Sequence, residues 1–307
     1  MTISAITPGH QFPSQPDWPT SVQGAETKGE EPLASPLLKA DFYYLTPSSP
    51  PPRVYSAAAA GGTTRREGEF APYRMTVADG RTMNQRFSVD IQGFELHRQV
   101  TQVQDFTDGD EVRSVYYGEA TRLLKLATGA TGVRIFDHTV RLEDPVRRAA
   151  AGLREPVQSV HNDYTEKSGP QRVWDLLDEG EARYWLGHRF AIVNVWRSIG
   201  APATRSPLGL IDARSTRRTD FVPTDLIYPD RVGEIYQVAH NPLHQWVYFP
   251  DLTRQEALLL KVFDSAEDGR AKMTGHSAFD NPSAPADAPS RESIELRALL
   301  SFAPSRA

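Results

Sequence analysis

The sequence predicts a mainly β fold with flanking helices, a double-stranded β-helix or cupin-like jelly roll. Two observations predict it. From about residue 130 onward, short β-branched and aromatic runs succeed one another: "GVRIFDHTV", "QSVHNDY", "RFAIVNVWRS", "LGLIDARS", "EIYQVAH", "QWVYFP", "ALLLKVFDS" and "IELRALLSF". Gly, Pro, Asn and Asp break most of the intervals between them, the punctuation of an antiparallel sandwich or barrel. Neither an internal repeat nor a heptad competes with that pattern.

The chain has 307 residues, 39% of them hydrophobic, enough for one large β-rich domain. Residues 1–40 read as an irregular arm rich in Pro, Ser, Thr and Gly, and residues 41–307 as a single domain. "TPSSPPPR" and "AAAAGGTTRREGEF" continue the loop character to about residue 70, with a short strand at "DFYYL". "YRMTVADGRTM" alternates around Asp79-Gly80 and predicts a β-hairpin, because glycine tolerates the positive φ of a tight turn. "DEVRSVYYGEATRLLKLATG" spaces Val112, Val115, Tyr116, Ala120, Leu123 and Leu124 by mixed threes and fours and closes at Gly129, a helix with Tyr116 in the core and Tyr117 at the rim.

Composition excludes several functions. The net charge is -5 and no run of Lys or Arg is long enough to track phosphates, so nucleic acid is not an expected partner. With no cysteine, disulfides, thiolate metal sites and cysteine nucleophiles are all absent, and any metal must be held by nitrogen and oxygen. No basic leader and no apolar stretch near the roughly 18 residues of a membrane span is found, which leads to the expectation of a soluble, cytoplasmic protein without a membrane partner.

The chemistry centres on "SVHNDYTEKSGPQR", where His161 and Asp163 stand two positions apart before a turn expected at "KSGP". On a strand, residues i and i+2 share a face with origins about 7 Å apart, so imidazole and carboxylate can meet at one ion while Asn162 points away. A hydrogen-bonded strand end is the commoner meaning of such a pair taken alone. A third ligand is needed: His10 lies in the arm, His97 and His138 precede the pair, and His188, His240 and His244 stand near strand ends. His276 is favoured by Arg291 and Ser293, downstream of it in "RES", which share a strand face and suit a carboxylate held by a two-pronged ion pair and a hydroxyl. Two histidines and one carboxylate on an octahedral ion leave three positions open, an arrangement suited to non-haem Fe(II) oxygen chemistry.

In this ordered set the sequence resembles the Fe(II)/2-oxoglutarate-dependent oxygenases. "VHNDYT", "IVNVWRS", "SPLGLIDARS", "HQWVYFPDLTRQEALLLKVFDS", "GHSAF" and "SRESIELRALLSF" more narrowly resemble the fungal hydroxylase/desaturase family that includes gibberellin desaturase-like and cephamycin 7α-methoxylase-like proteins, over residues 110–303. The resemblance implies that His161, Asp163 and His276 bind Fe(II), and that Arg291 and Ser293 hold the distal carboxylate of 2-oxoglutarate, with Asn194 a further polar contact. It implies O2 as the other cosubstrate and a small-molecule secondary metabolite as substrate, which is hydroxylated, desaturated or cyclised by C–H activation. Ser198 stands where relatives are expected to carry proline.

Tyr164 and Thr165 come directly after the ligands and either face the substrate or finish a turn. Arg197 is a further substrate-contact candidate, although Trp196 and Arg197 read first as strand packing and an ion pair. "RREGE" and "RSTRR" read as solvated faces. Two other functions fit parts of the pattern: a non-redox jelly-roll hydrolase or isomerase with the same ligands, and a partner subunit of another oxygenase. A homodimer, or a heterodimer with a related subunit, is the corresponding assembly.

Overall fold

Alternation along two strands organises the molecule. In "FAIVNVWRS" the residues Ala191, Val193 and Val195 turn to one side and Ile192, Asn194 and Trp196 to the other, and "ESIELRALLS" does the same. The strand therefore buries both faces, one against a helix and one against a second sheet.

This computed structural model describes residues 37–303 apart from 48–49, 57 and 62–63, all within the compact unit Ser35–Ala307. The expected arm falls outside the described residues up to position 36. In chain order the strands are β1 (Leu38–Leu45), β2 (Arg53–Tyr55), β3 (Arg65–Glu67), β4 (Phe70–Asp79), β5 (Phe94–Arg98), β6 (Gly132–Leu142), β7 (His161–Asn162) and β8 (Phe190–Ser198). They continue as β9 (Leu208–Ile211), β10 (Phe221–Ile227), β11 (Val232–Val238), β12 (Trp246–Tyr248), β13 (Glu256–Asp264), β14 (His276–Ala278) and β15 (Glu292–Ser301). A ten-stranded sheet runs β1-β4-β12-β9-β14-β7-β11-β10-β2-β3, and a five-stranded sheet runs β5-β13-β8-β15-β6.

From β7 onward the chain crosses repeatedly between the sheets: β7 in the large one, β8 in the small, β9 to β12 in the large, then β13, β14 and β15 in alternation. This is the expected jelly roll. Ile192, Trp196, Leu258, Leu260 and Leu299 of the small sheet meet Leu208, Leu210 and Val247 of the large one, and Phe249 just after β12, in the core.

The predicted helix covers the small sheet's outer face. It comprises α1 (Gly109–Glu111), a π-helical turn at Val112–Tyr116 and α2 (Tyr117–Thr128). Asp108 caps its start by accepting from the Asp110 and Glu111 amides, and Gly129 ends it with φ of 72°. Val112, Tyr116, Ala120, Leu123 and Leu124 are buried against β8 and β15, while Tyr117 is half-buried.

Two expectations fail. Asp79-Gly80 makes no hairpin: β4 pairs with β1 and, in parallel, with β12. Gly80 does not adopt a positive φ, and a Cβ there would stand 2.6 Å from the Phe249 ring, so close approach requires the glycine. "KSGP" is no turn either, since α4 (Ser168–Leu176) begins there, after α3 (Pro145–Ala151) and before α5 (Glu179–Leu186). Thr165 Oγ1 accepts from the Lys167 and Ser168 amides and Thr165 N donates to Ser168 Oγ, a cap that turns the chain into a helix, while Pro170 sits in the first turn where no N–H is needed. Among the described residues no helix is long and apolar enough to cross a membrane.

Candidate functional site

Adjacent strands bring the two histidines together. β14 pairs with β7 so that His276 stands opposite His161, their ring centroids 4.4 Å apart. Asp163 comes directly after β7, and one ligand atom from each of His161, Asp163 and His276 lies within 4.8 Å of the others. None of His97, His138, His188, His240 and His244 joins this group; His10 lies outside the described residues.

Hydrogen bonding orients each group. His161 Nδ1 lies 2.8 Å from the Ser159 carbonyl and His276 Nδ1 3.0 Å from the Thr274 carbonyl. A carbonyl only accepts, so both Nδ1 atoms carry the proton and both Nε2 lone pairs are free for an ion. Burial, reinforced by His276, pushes the His161 imidazole down to about 4, which keeps it neutral. On Asp163, Oδ2 accepts from Asn194 Nδ2 at 2.8 Å and from Arg297 Nε at 3.1 Å, while Oδ1 lies 3.7 Å from His161 Nε2. Burial raises the pKa of this carboxyl, but Arg297 and then the two histidines and Asn194 outweigh it and hold the group below the usual carboxylate range. The donor set of two imidazole Nε2 atoms and one carboxylate oxygen fits a divalent ion such as Fe(II).

Arg297 is the residue that sequence reasoning missed. Besides Asp163 it bonds Glu295 Oε2 at 2.7 Å, Asp137 Oδ2 at 3.3 Å and Thr139 Oγ1 at 3.2 Å. The signal was present: positions 291, 293, 295 and 297 alternate, so Glu295 and Arg297 share the face already assigned to Arg291 and Ser293. Asn194, expected to touch the cosubstrate, gives its amide nitrogen to Asp163 and to Glu295 at 3.1 Å, and its Oδ1 is buried without a protein partner.

Arg291 is 3% exposed. Its Nε donates to Ser293 Oγ at 3.0 Å and its Nη1 to the Ser206 carbonyl at 3.1 Å, and the guanidinium lies over the Trp196 ring at 5.0 Å. Among the described residues no carboxylate comes within ion-pair distance of it, and burial, with Arg141 nearby, pulls its pKa down to about 9. A buried cation without a counter-ion is costly, and an incoming carboxylate would supply one.

Three other candidates separate. Tyr164 lines the cleft beside the ligands, and burial pushes its hydroxyl up to about 12. Thr165 is 1% exposed and spent on capping α4 and on Glu234, so it faces no substrate. Arg197 points away from the site: it donates to Tyr116 Oη at 3.2 Å, to the Gln99 carbonyl at 2.9 Å, to Gln99 Oε1 and to the Arg254 carbonyl, beneath the helix and with no carboxylate partner among the described residues. Its place on β8 explains this, because it alternates with Asn194 and Trp196. Ser198 donates to the Ala201 carbonyl at 2.8 Å, so a side-chain hydrogen bond shapes the loop where proline was expected.

That cleft, of about 570 Å³, opens onto His161 and Asp163. Val54 and Arg66 contribute from the β2–β3 side, Leu226 and Ile235 from β10 and β11, and Tyr164 and Arg172 from around α4.

Comparison with known proteins gives the family. A family profile described as YDMC, oxidoreductase/YMDC permease-like domain, matches residues 42–301. Hydroxylase/desaturase efuI of Hormonema carpetanum is 35% identical over 248 residues, covering 74% of this chain and 82% of that protein. The chain belongs to the fungal hydroxylase/desaturase family. Alpha-ketoglutarate-dependent dioxygenase phiK of Fungal sp. (strain ATCC 74256) is 30% identical over 236 residues, 74% of this hydroxylase/desaturase and 84% of that enzyme. The solved iron and alpha-ketoglutarate-dependent endoperoxidase NvfI superposes with a TM-score of 0.76 at 24% identity, over 86% of this chain and 97% of that one, a likeness of fold. This hydroxylase/desaturase is an oxidoreductase of the Fe(II)/2-oxoglutarate-dependent dioxygenase class.

Proposed function

We propose that His161, Asp163 and His276 hold Fe(II), that Arg291 and Ser293 hold the distal carboxylate of 2-oxoglutarate, and that a small-molecule secondary metabolite enters the cleft to be hydroxylated, desaturated or cyclised. The observation that carries this reading is the disposition of the three ligands: the Nδ1 atoms and Asp163 Oδ2 are tied to protein, and the two Nε2 atoms and Oδ1 are left to converge. Bound Fe(II) and 2-oxoglutarate supply oxidation of a C–H bond by dioxygen, with succinate and carbon dioxide as co-products.

The residues of this chain do the rest. The backbone carbonyls of Ser159 and Thr274 hold the imidazoles in the ligating tautomer. Asn194 and Arg297 hold the carboxylate ionised and restrict it to one free oxygen. Arg291 orients the cosubstrate by its far end, and the cleft presents the substrate on the side of His161 and Asp163. A non-redox metalloenzyme would use the same ligands but would leave the buried Arg291 guanidinium without a counter-ion.

The test is anaerobic addition of Fe(II) and 2-oxoglutarate, monitored through the weak visible charge-transfer band of the chelate. The wild-type chain is expected to show the band, His161→Ala to lose it, and Arg291→Ala to need at least about tenfold more 2-oxoglutarate. A wild type without the band at any cosubstrate concentration would sink the assignment of these residues.

A further inference from the structure

Positive charge collects in one part of the cleft without matching carboxylates. Arg66, Arg141 and Arg154 all line it, and all three gather around residues 154–155. Arg141 and Arg154 are paired across an isolated parallel bridge, with Leu142 N donating to the Arg154 carbonyl at 2.9 Å, so the backbone itself sets two arginine residues side by side. Like charges directly opposite one another on neighbouring strands are destabilising.

The available anions do not cancel them. Glu155 lies 4.0 Å from Arg66 and 4.0 Å from Arg148, the outer limit of an ion pair, and its carbonyl accepts from Arg141 Nη1 at 3.0 Å. Arg141 Nη2 is 3.8 Å from Glu295, which belongs more closely to Arg297 at 2.7 Å. Arg154 makes no ion pair and no side-chain hydrogen bond among the described residues. Arg141 is 13% exposed at its side chain, too enclosed for water alone to solvate it fully. Burial lowers its pKa below that of a free guanidinium, with Arg297 and Arg154 adding to the effect against the pull of Glu295 and Asp163.

We infer that the substrate carries an anionic group, a carboxylate first of all, seated by Arg66, Arg141 and Arg154, with its apolar body against Val157, Leu226 and Ile235. This inference rests on the reading of the cleft as the substrate's. An anion fixed there would set which carbon of an apolar skeleton reaches the metal-facing side, by a charge-assisted anchor.

A carboxylate here has two sources, the substrate or 2-oxoglutarate, and matched probes separate them. The metal-free full chain is titrated with 8-anilinonaphthalene-1-sulfonate and with the uncharged N-phenyl-1-naphthylamine, with dye fluorescence as the readout. The sulfonate is expected to bind about tenfold more tightly than the neutral dye. Arg66→Gln/Arg154→Gln, both at partly or fully exposed positions, is expected to abolish that preference while keeping the wild-type melting curve, and Arg134→Gln, outside the cleft, to leave it unchanged. Equal binding of the two dyes, or a preference that survives Arg66→Gln/Arg154→Gln, overturns the inference. Competitive displacement of the sulfonate by 2-oxoglutarate also overturns it, because the arginines then serve the cosubstrate. Fe(II) and 2-oxoglutarate binding is measured separately, with His161→Ala as reference: if that binding fails while the dye preference holds, the metal assignment falls and the anion site stands.

Discussion

Arg297 Nε lies 3.1 Å from Asp163 Oδ2, on the oxygen that Asn194 also holds, and leaves Oδ1 facing His161 Nε2. Arg297 is a positioning residue on this geometry, because it acts on the ion through Asp163. Arg297→Met removes the cation shared by Asp163 and Glu295, which leaves two buried carboxylates facing each other. Fe(II) affinity is expected to fall about 10- to 100-fold, and the metal-free protein to lose about 3–5 kcal/mol. Adding Glu295→Gln is expected to recover stability without recovering metal affinity. Anaerobic Fe(II) titration and urea unfolding of the single and double variants check both, and unchanged Fe(II) affinity in Arg297→Met would remove the positioning role.

Arg197 provides the contrast. It shares β8 with Asn194 but lies on the opposite face, where it satisfies Tyr116, Gln99 and the Arg254 carbonyl. Arg197→Met is expected to cost about 2–4 kcal/mol through the polar groups left unpaired, with 2-oxoglutarate affinity in the folded protein unchanged. Denaturant midpoints and a cosubstrate titration on the same preparation test it; weakened cosubstrate binding in a fully folded variant would return Arg197 to the site.

Stability should depend on pH through His244. Its Nε2 donates to Asp220 at 3.0 Å and its Nδ1 accepts from Tyr44 Oη at 2.9 Å, whose own oxygen already accepts from Trp246 Nε1 at 2.8 Å. The neutral ring is thus fully used, and burial lowers its pKa against the opposing pull of Asp220. With the folded value below the unfolded one, the unfolded chain binds the proton first, so stability is lost as pH falls below about 6.5. Unfolding midpoints at pH 7.5 and pH 5 are expected to differ more in wild type than in His244→Gln; equal differences would show that this ring is not the source.

Gly80 tests close packing against turn geometry. Gly80→Ala is expected to cost about 1–3 kcal/mol, because its Cβ would stand 2.6 Å from a Phe249 ring carbon. Phe249→Leu in the same chain is expected to relieve part of that loss, which thermal unfolding of the pair would show. A neutral Gly80→Ala would mean that the ring moves aside freely.

Legibility tracks the length of the pattern. β6, β8, β13 and β15 are long and rich in β-branched, aromatic or aliphatic residues, and the helix closing at Gly129 shows its apolar face plainly, so these elements are readable from residues alone. β7 has two residues; the run "QSVHNDY" marks a strand there, but its pairing with β11 and β14 is not visible in a local pattern. Asp144-Pro145 and Asp178 are cap signals that precede α3 and α5, easily passed over amid strand-like surroundings. His161, Asp163 and His276 are legible because their spacing and order carry meaning. The partners of Asp163 are not, since Asn194 and Arg297 come from strands of the other sheet and meet it only in the folded chain.

One wall of the cleft belongs to stretches of chain that carry none of the three ligands. Val54, Arg66, Leu226 and Ile235 stand on β2, β3, β10 and β11, at one end of the large sheet, whereas His276 and Arg291 lie elsewhere. The molecule is therefore divided like a tool with an exchangeable jig. On the proposed reading of His161, Asp163 and His276 as the metal site, grafting segments 53–67 and 221–238 from one relative onto another would retarget the oxidation while the strands that carry those three residues stay as they are, a route by which one scaffold diversifies among pathways without reinventing its chemistry.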